Sequence, residues 1–300
     1  MSTPEKYLPK YSIYIPSKGR YESLITMKAL ERLEVPYNIM VEQHEYKLYK
    51  DALEGRKYRY YTLLELPFSN HGKGSGVARN WAWDHSVQNG DARHWILDDN
   101  LMEFWKFQKN QRIRVESGSF FRACEDFVDR YENVQLAALQ YKFFVPDDYH
   151  HPPFIVNTRM MSCILIDNDC PHRWRGKYNE DVDLSLRVLK SGACTILFYN
   201  FLQGKMRTGL VKGGNTEELY GDGTFEKSKM LVDLHPDVVT LTRKYGRWHH
   251  EVNLKSFRNN MLKLKPDFVM PTEPNEYGMK LVYDYGLPTQ QFVANPEPRR

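Results

Sequence analysis

The chain has 300 residues, which is enough for two domains or for one large α/β domain with additions. Hydrophobic residues make up 41% of it and aromatic residues 14%, a composition that excludes an intrinsically disordered protein. Forty-two lysines and arginines against 38 acidic residues leave a net charge of +4, which by itself indicates neither a nucleic-acid nor a lipid partner. No stretch approaches the roughly 20 apolar residues of a membrane span, so we expect a soluble globular protein with no membrane partner.

The N-terminal segment and the cysteines bear on the compartment. Residues 1–15 contain neither an apolar run of signal-peptide length nor a small-residue cleavage site, so we expect a cytoplasmic protein. The cysteines lie in apolar contexts without a CxxC pair; they are Cys124, Cys163, Cys170 and Cys194. This pattern favours buried thiols over zinc ligands or disulfides.

Short apolar runs alternate with amphipathic segments along the chain. In chain order we predict strand 11–15, helix 21–33, strand 37–42, helix 46–54, strand 58–66, helix 75–88, strand 94–99, helix 118–130, strand 134–139, strand 161–167, helix 180–191 and strand 194–201. Strands separated by helices favour a mostly parallel sheet with helices on both faces. Because Pro and Gly become frequent only near the C-terminus, we predict one α/β domain over residues 1–265 and a Pro-rich extension over 266–300.

Polar residues follow the first two predicted strands, at the end of an open sheet where ligands bind. The first strand is followed by Pro16, Ser17, Lys18, Gly19 and Arg20. The glycine permits close backbone approach, and the cations and the hydroxyl suit phosphates or a base edge. An ordinary strand-to-helix turn is the alternative. The second strand ends in Glu42, which can accept a hydrogen bond from a ribose or a base.

A glycine-rich segment, GKGSGVARN at 72–80, opens the third predicted helix. Its lysine precedes the glycine pair, so it is neither a Walker A loop nor a Rossmann fingerprint, and nucleoside triphosphate hydrolysis is disfavoured. The N-terminus of a helix still suits a diphosphate because its backbone N–H groups are unpaired. Arg79 and Asn80 lie in the first turns of this helix.

Two acidic segments complete the set of candidate residues. Asp98, Asp99 and Asn100 follow an apolar strand, and their oxygens are of the kind that Mg²⁺ or Mn²⁺ prefers, although a solvated turn has the same composition. Glu180 and Asp181 begin a helix, where acids also stabilise the helix dipole. A carboxylate at that position is alternatively a general base.

Taken together, the segments IPSKGR (15–20), GSGVARN (74–80), ILDDN (96–100) and NEDVDLSLR (179–187) resemble, in order and spacing, the GT-A glycosyltransferases. IPSKGRY, VARNWAW, WILDDN, the KGGN at 212–215 and the GRWHHEV at 246–252 are similar more narrowly to the TET-associated glycosyltransferases of bacteriophages. Members of that group glycosylate 5-hydroxymethylpyrimidines in phage DNA. The resemblance implies a GT-A type (Rossmann-like) fold, a UDP-sugar donor, Mn²⁺ or Mg²⁺, and a location in the host cell cytoplasm.

The resemblance also implies roles for single residues. The nucleotide-sugar would be held by Pro16, Ser17, Lys18, Arg20, Glu42, Arg79, Asn80, Asp98, Asp99, Lys212, Gly213 and Gly214. The metal ligands would come from Asp98, Asp99, Asn100, His249 and His250. The catalytic residues would be Asp181 and Glu180, with Asp181 taking the proton from the acceptor hydroxyl in a direct displacement that inverts an α-linked donor to a β-linkage.

Cations cluster with aromatic residues in three segments, 104–114, 172–178 and 243–250. We expect double-stranded hydroxymethylated DNA to contact Lys106, Lys109, Arg112, Arg114, Arg173, Trp174 and Arg175, with a tryptophan stacking on an extruded base. An ordinary surface in which cationic stems cover aromatic rings is the alternative. Two other functions stay open: glycosylation of a protein or cell-surface glycan, and a catalytically silent module that binds a nucleotide or DNA.

Overall fold

The computed structural model describes residues 5–69, 72, 74–148, 150–206, 225–244 and 246–269. Its α-helices are α1 (Ile25–Arg32), α2 (Tyr46–Gly55), α3 (Gly76–Gln88), α4 (Ser119–Val128), α5 (Glu180–Lys190) and α6 (Phe225–Leu234). The strands are β1 (Ile13–Pro16), β2 (Tyr37–Glu42), β3 (Tyr61–Leu66), β4 (Arg93–Leu97), β5 (Leu101–Gln108), β6 (Gln111–Arg114), β7 (Val134–Tyr141), β8 (Phe154–Val156), β9 (Cys163–Asp167), β10 (Cys194–Lys205), β11 (Val239–Lys244) and β12 (Arg247–Val252).

Ten of these strands form one mixed sheet in the order β3-β2-β1-β4-β9-β7-β10-β5-β6, with β8 paired to β10. The pairs β3–β2, β2–β1, β1–β4 and β7–β10 are parallel, whereas β9 is antiparallel to both β4 and β7. β1, β2, β4, β7 and β10 consequently all run in one direction. Their carboxyl ends therefore meet at one edge of the sheet, where the functional residues were expected.

The side chains of β1 show how both faces of the sheet are covered, because successive residues of a strand point to opposite faces. Ile13 and Ile15 are buried in a cluster with residues of α1, α2 and α4. Tyr14, between them, is buried in a second cluster with residues of α3 and α5. The predicted α/β class of GT-A type, with helices on both faces, is confirmed.

The sequence interpretation missed the hairpins. β5 and β6 form an antiparallel hairpin in which β6 is an outermost strand of the sheet. β11 and β12 form a separate antiparallel hairpin. Both hairpins expose part of their surface, so charged residues interrupt the apolar pattern that identifies a buried strand. α1 also begins at Ile25 rather than at residue 21, because Leu24 takes a left-handed conformation with φ of 43°.

The cysteines and the end of the domain complete the comparison. All four cysteines are free and buried, as expected. Lys263, Leu264 and Lys265 make backbone hydrogen bonds with the segment between α4 and β7. The predicted extension over 266–300 lies almost wholly outside the described residues, so its boundary stays a prediction. Within the described ranges, no helix is long and apolar enough to cross a membrane.

Candidate active site

A cavity of about 540 Å³ opens at the carboxyl ends of β1, β2, β4, β7 and β10, between the first turns of α3 and α5. Its lining includes most of the residues singled out from the sequence, namely Pro16, Ser17, Lys18, Arg20, Glu42, Arg79, Asp98, Asp99, Asn100, Glu180, Asp181, His249 and His250. Lys212, Gly213 and Gly214 lie outside the described residues. The edge of the sheet thus brings together groups that are up to 234 positions apart, from Pro16 to His250.

The turn after β1 is tied to Asp99. Ser17 Oγ donates a 2.8 Å hydrogen bond to Asp99 Oδ2, and the Arg20 guanidinium pairs with Asp99 Oδ1. Gly19, with φ of 63°, makes the tight turn between them, and its N–H donates to the Glu45 carboxylate at 2.8 Å. Tyr49 also supports this turn, because its hydroxyl accepts from the Arg20 N–H at 3.0 Å. The sequence interpretation missed Glu45 and Tyr49, which act through the backbone of the turn.

The end of β2 carries a second charged pair. Lys18 Nζ lies 3.5 Å from Glu42 Oε1, and His44 Nδ1 lies 3.6 Å from Glu42 Oε2. Lys18 and Glu42 both line the cavity. They therefore place one donor and one acceptor side by side, which is the arrangement that can recognise the edge of a base or a ribose.

Asp98 lies between two cations. Arg79 Nη2 donates to its Oδ1 at 2.8 Å, and Lys205 Nζ donates to its Oδ2 at 2.6 Å. Burial alone would raise the pKa of Asp98, but Lys205 and then Arg79 outweigh it and lower that pKa. Lys205 also donates to Ser162 Oγ at 2.8 Å. Asp98 is therefore ionised at neutral pH, and both of its carboxylate oxygens accept hydrogen bonds from cations.

The start of α5 supplies two further carboxylates. Glu180 Oε1 accepts a 2.5 Å hydrogen bond from Ser75 Oγ and lies 3.3 Å from Arg79 Nη1. Asp181 Oδ1 accepts only from the Val182 N–H among the described residues, at 2.8 Å. Burial, and then the nearby charge of Glu180, raise the pKa of Asp181 to about 6. Asp181 is thus ionised at neutral pH yet basic enough to accept a proton.

Asn80 and Trp174 do not take the places expected for them. The Asn80 side chain exchanges two 2.9 Å hydrogen bonds with the backbone of Trp174, so it joins two segments and does not line the cavity. Trp174 is only 3% exposed, and the Arg79 guanidinium lies 4.6 Å from its ring centroid. The tryptophan therefore cannot stack on an extruded base, because its ring already supports the active-site arginine.

The other residues expected to bind DNA differ in whether their side chains are already paired with groups of the protein. Arg175 is hydrogen-bonded to Asp183, and Arg173 lies 4.3 Å from the Trp83 ring, but both side chains stay exposed, at 48% and 44%. Lys106, Lys109, Arg112 and Arg114 lie on the β5–β6 hairpin. Arg112 pairs with Asp147 at 2.7 Å, and Arg114 lies 3.6 Å from Glu116, so acids partly offset the charge of this hairpin.

The acidic strand end does not fit the predicted divalent cation. Each carboxylate oxygen of Asp98 and Asp99 already accepts a hydrogen bond from a protein donor. His250 lines the cavity, and burial and then Arg159 lower its pKa to about 4, but its neighbour His249 is exposed. No group of three His, Cys, Asp or Glu side chains in the described part of the chain is arranged to hold a metal ion.

Lys205 is the main residue that the sequence interpretation missed. The predicted last strand ended at residue 201, whereas β10 continues to Lys205 at the edge that carries the site. The signal was the apolar Leu202 directly after Phe201, because a continued apolar run indicates that a buried strand extends further.

A second cavity, of about 560 Å³, adjoins the first. The two share Arg159, Met161, His249 and His250 as lining residues. The remaining walls are mostly apolar or aromatic, with Phe144, Ile155, Leu197 and Tyr199, together with the polar Gln140 and Thr158. Two ligands could thus be held side by side, with their reacting groups near the shared wall.

Comparisons with known proteins give one family match and several similar solved structures. A model of the TET-associated glycosyltransferase family matches residues 11–215. Two crystal structures of S. aureus TarS residues 1–349, one in complex with UDP, show 12% and 13% identity and a TM-score of 0.41. Each covers 65% of this chain, which spans 59% of theirs. A glycosyltransferase involved in glycosylation of the major capsid of PBCV-1 shows 15% identity and a TM-score of 0.25, over 59% of this chain and 66% of its own.

A search of curated protein sequences finds no match. The family model spans more than half of the chain, and the matched region contains the turn after β1, the acidic end of β4 and the start of α5. The chain therefore belongs to the TET-associated glycosyltransferase family.

Proposed function

We propose that this protein transfers a sugar from a UDP-sugar to the hydroxymethyl group of 5-hydroxymethylcytosine in double-stranded DNA. The observation that carries the proposal is the joining of two cavities at one wall, with Asp181 on the first. The family model supports a glycosyltransferase, and its description associates the family with TET proteins. The choice of cytosine and of UDP extends the resemblance seen in the sequence.

The first cavity suits a nucleotide-sugar because it offers both a nucleoside end and a diphosphate end. At the nucleoside end, the turn after β1 and the Lys18–Glu42 pair present donors and acceptors. Arg79 and Lys205 lie beside Asp98, and Arg159 lines the wall shared with the second cavity; together these cations can neutralise two phosphates. The donor would bind with its diphosphate among these cations and its sugar toward Asp181.

Transfer would proceed by one displacement. Asp181 takes the proton of the acceptor hydroxyl while that oxygen bonds to the anomeric carbon. The bond from this carbon to the diphosphate oxygen breaks, and the diphosphate leaves with the electron pair, which the neighbouring cations stabilise. Because attack and departure occur on opposite faces of the sugar, an α-linked donor gives a β-linked product. A second carboxylate nucleophile is not required.

The second cavity suits the acceptor base. Its volume lies in the range of roughly 300–1,000 Å³ that is typical of small-molecule sites. Its aromatic walls favour stacking on a base, and Gln140 and Thr158 offer polar groups to a base edge. A hydroxymethyl group inside a duplex cannot reach Asp181, which is half-buried in the wall of the first cavity, so the base would be extruded from the helix into the second cavity.

The proposal is tested with a panel of donors and acceptors. The protein is incubated with UDP-glucose, UDP-N-acetylglucosamine or UDP-arabinose and with duplex DNA that does or does not contain 5-hydroxymethylcytosine. The DNA is then digested and its nucleosides are weighed. We expect one donor to add the mass of its sugar to 5-hydroxymethylcytosine alone, with the anomeric coupling of a β-linkage. Transfer to a protein or glycan instead, a retained configuration, or UDP binding without transfer would each contradict the proposal.

Two exposed phenylalanines beside the second cavity predict how the duplex is opened. Phe143 and Phe144 are 64% and 51% exposed, and their ring centroids lie 4.1 Å apart. Apolar side chains of this kind can be inserted between base pairs when a base is extruded. We expect the double variant Phe143→Ala/Phe144→Ala to lose about tenfold or more in transfer to duplex DNA, since stacking is worth about 1–3 kcal/mol per base.

The same variant should lose much less activity on a single strand, where no base pair must be opened. Val87→Ala is the matched control, because Val87 is also an exposed apolar residue, 47% exposed, and lies at the far end of α3. Equal losses on duplex and single-stranded DNA would show that the two rings do not open the duplex.

A further inference from the structure

We propose that Lys205, with Arg79, takes the electrostatic role of a divalent cation at the acidic end of β4. On this proposal UDP binding and sugar transfer do not require a divalent metal. The inference rests on the proposed function, because it concerns the same diphosphate. It contradicts the metal dependence predicted from the sequence, because Lys205 occupies the place beside Asp98 that a metal ion would take.

Lys205 is held in place from two directions. Lys205 is the last residue of β10, and its backbone pairs with Leu101 of β5. The N–H of the next residue, Met206, donates to the Asn100 carbonyl at 3.0 Å. The Lys205 ammonium group lies 2.6 Å from Asp98 Oδ2 and 2.8 Å from Ser162 Oγ, and the side chain is only 19% exposed. The lysine is therefore a fixed positive charge and not a flexible surface group.

The acidic side chains leave little for a metal to bind. Mg²⁺ and Mn²⁺ are held mainly through carboxylate oxygens. Asp98 gives one oxygen to Lys205 and the other to Arg79, and Asp99 gives its two to Ser17 and Arg20. The amide of Asn100 has a buried Oδ1 with no hydrogen-bond partner among the described residues, but a single neutral oxygen is a weak ligand set. A metal would first have to displace the ammonium group from Asp98.

The lysine can also meet the diphosphate. An ammonium group has three N–H donors, and the contacts to Asp98 and Ser162 use two of them. Lys205 and Arg79 both line the cavity that would hold the donor. A phosphate oxygen beside Asp98 would therefore face two cations, one on each side of the carboxylate. This arrangement offers the charge that a divalent ion would bring, from residues of the chain itself.

The test measures UDP binding by calorimetry in EDTA and again in Mn²⁺ or Mg²⁺. We expect the wild-type dissociation constants to agree within about twofold, and transfer to continue in EDTA. Lys205→Met should weaken UDP binding in EDTA by about 10–100-fold, the range expected when a hydrogen bond to a charged group is lost. Lys190→Met is the matched control, because Lys190 forms a 2.6 Å pair with Asp237 on the surface at the far end of α5.

Lys205→Met leaves Asp98 with one cation and can impair folding. The paired variant Lys205→Met/Asp98→Asn removes both charges and so leaves no carboxylate short of a cation; in EDTA it should still bind UDP more weakly than the wild type, because the ammonium donor is missing. Loss of wild-type UDP binding in EDTA, or undiminished binding by a folded Lys205 variant, would overturn the inference. Transfer that occurs only after Mn²⁺ or Mg²⁺ is added would also overturn the inference. Binding of UDP in EDTA with no transfer to any acceptor, whether or not metal is added, would instead overturn the proposed function and leave the inference about UDP binding standing.

Discussion

Asp181→Asn is expected to slow sugar transfer by about 10²–10⁴-fold, the contribution typical of a positioned general base. The amide keeps the shape of the carboxylate but cannot accept the proton of the acceptor hydroxyl. UDP binding should change by less than about threefold, because the cations assigned to the diphosphate are untouched. Single-turnover transfer and UDP calorimetry measure the two effects separately. Asp84→Asn, at an exposed acid on α3, is the control.

The pH profile gives an independent view of the same residue. Burial and the charge of Glu180 raise the pKa of Asp181 to about 6. A general base must be deprotonated, so the wild-type rate should fall about tenfold per pH unit below pH 6 and level off above it. The residual activity of Asp181→Asn should lack this acidic limb. A profile that is the same in both proteins would remove Asp181 from the mechanism.

Glu180 was predicted to share the catalytic role, but its contacts indicate a supporting one. Its carboxylate is engaged by Ser75 and by Arg79. Because its negative charge helps to raise the pKa of Asp181, Glu180→Gln should lower that pKa and move the acidic limb to lower pH. The direction of this shift separates a residue that tunes the base from the base itself.

The parts of the site that could be predicted are those that follow directly from strand ends. Ser17, Glu42 and Asp98 each follow an apolar strand, and parallel strands bring their carboxyl ends to one edge. Sequence alone could not decide what those side chains contact there. Asp98 reads equally well as a metal ligand or as the partner of a cation, and the choice depends on Lys205, which is 107 positions away.

Trp174 illustrates the opposite error. Its neighbours Arg173 and Arg175 give the segment the composition of a DNA-binding surface. The composition does not distinguish an exposed ring from one that is buried beneath an arginine, because both place cations beside an aromatic residue. In the structure the ring lies against the Arg79 guanidinium that pairs with Asp98, so Trp174 contributes to the site through packing.

The same arrangement makes Arg79 the residue whose loss should cost most stability. Its guanidinium is 7% exposed and contacts Asp98, Glu180 and the Trp174 ring. Arg79→Met preserves the packing on Trp174 but leaves two carboxylates without their shared cation. Because removing one partner of a buried ion pair costs about 3–5 kcal/mol, we expect the free energy of unfolding in urea to fall by that amount.

A second substitution separates the charge from the packing. Arg79→Met/Asp98→Asn removes one of the stranded carboxylates and should recover part of the loss, although Asn cannot restore the pairing with Lys205. Arg173→Met is the matched control, since Arg173 also lies over a tryptophan but is largely exposed, and it should cost less than about 1 kcal/mol. If Arg79→Met costs no more than this control, the carboxylates are not held by Arg79. Of the three cations proposed to bind the diphosphate, Arg79 would then not be held in place beside Asp98.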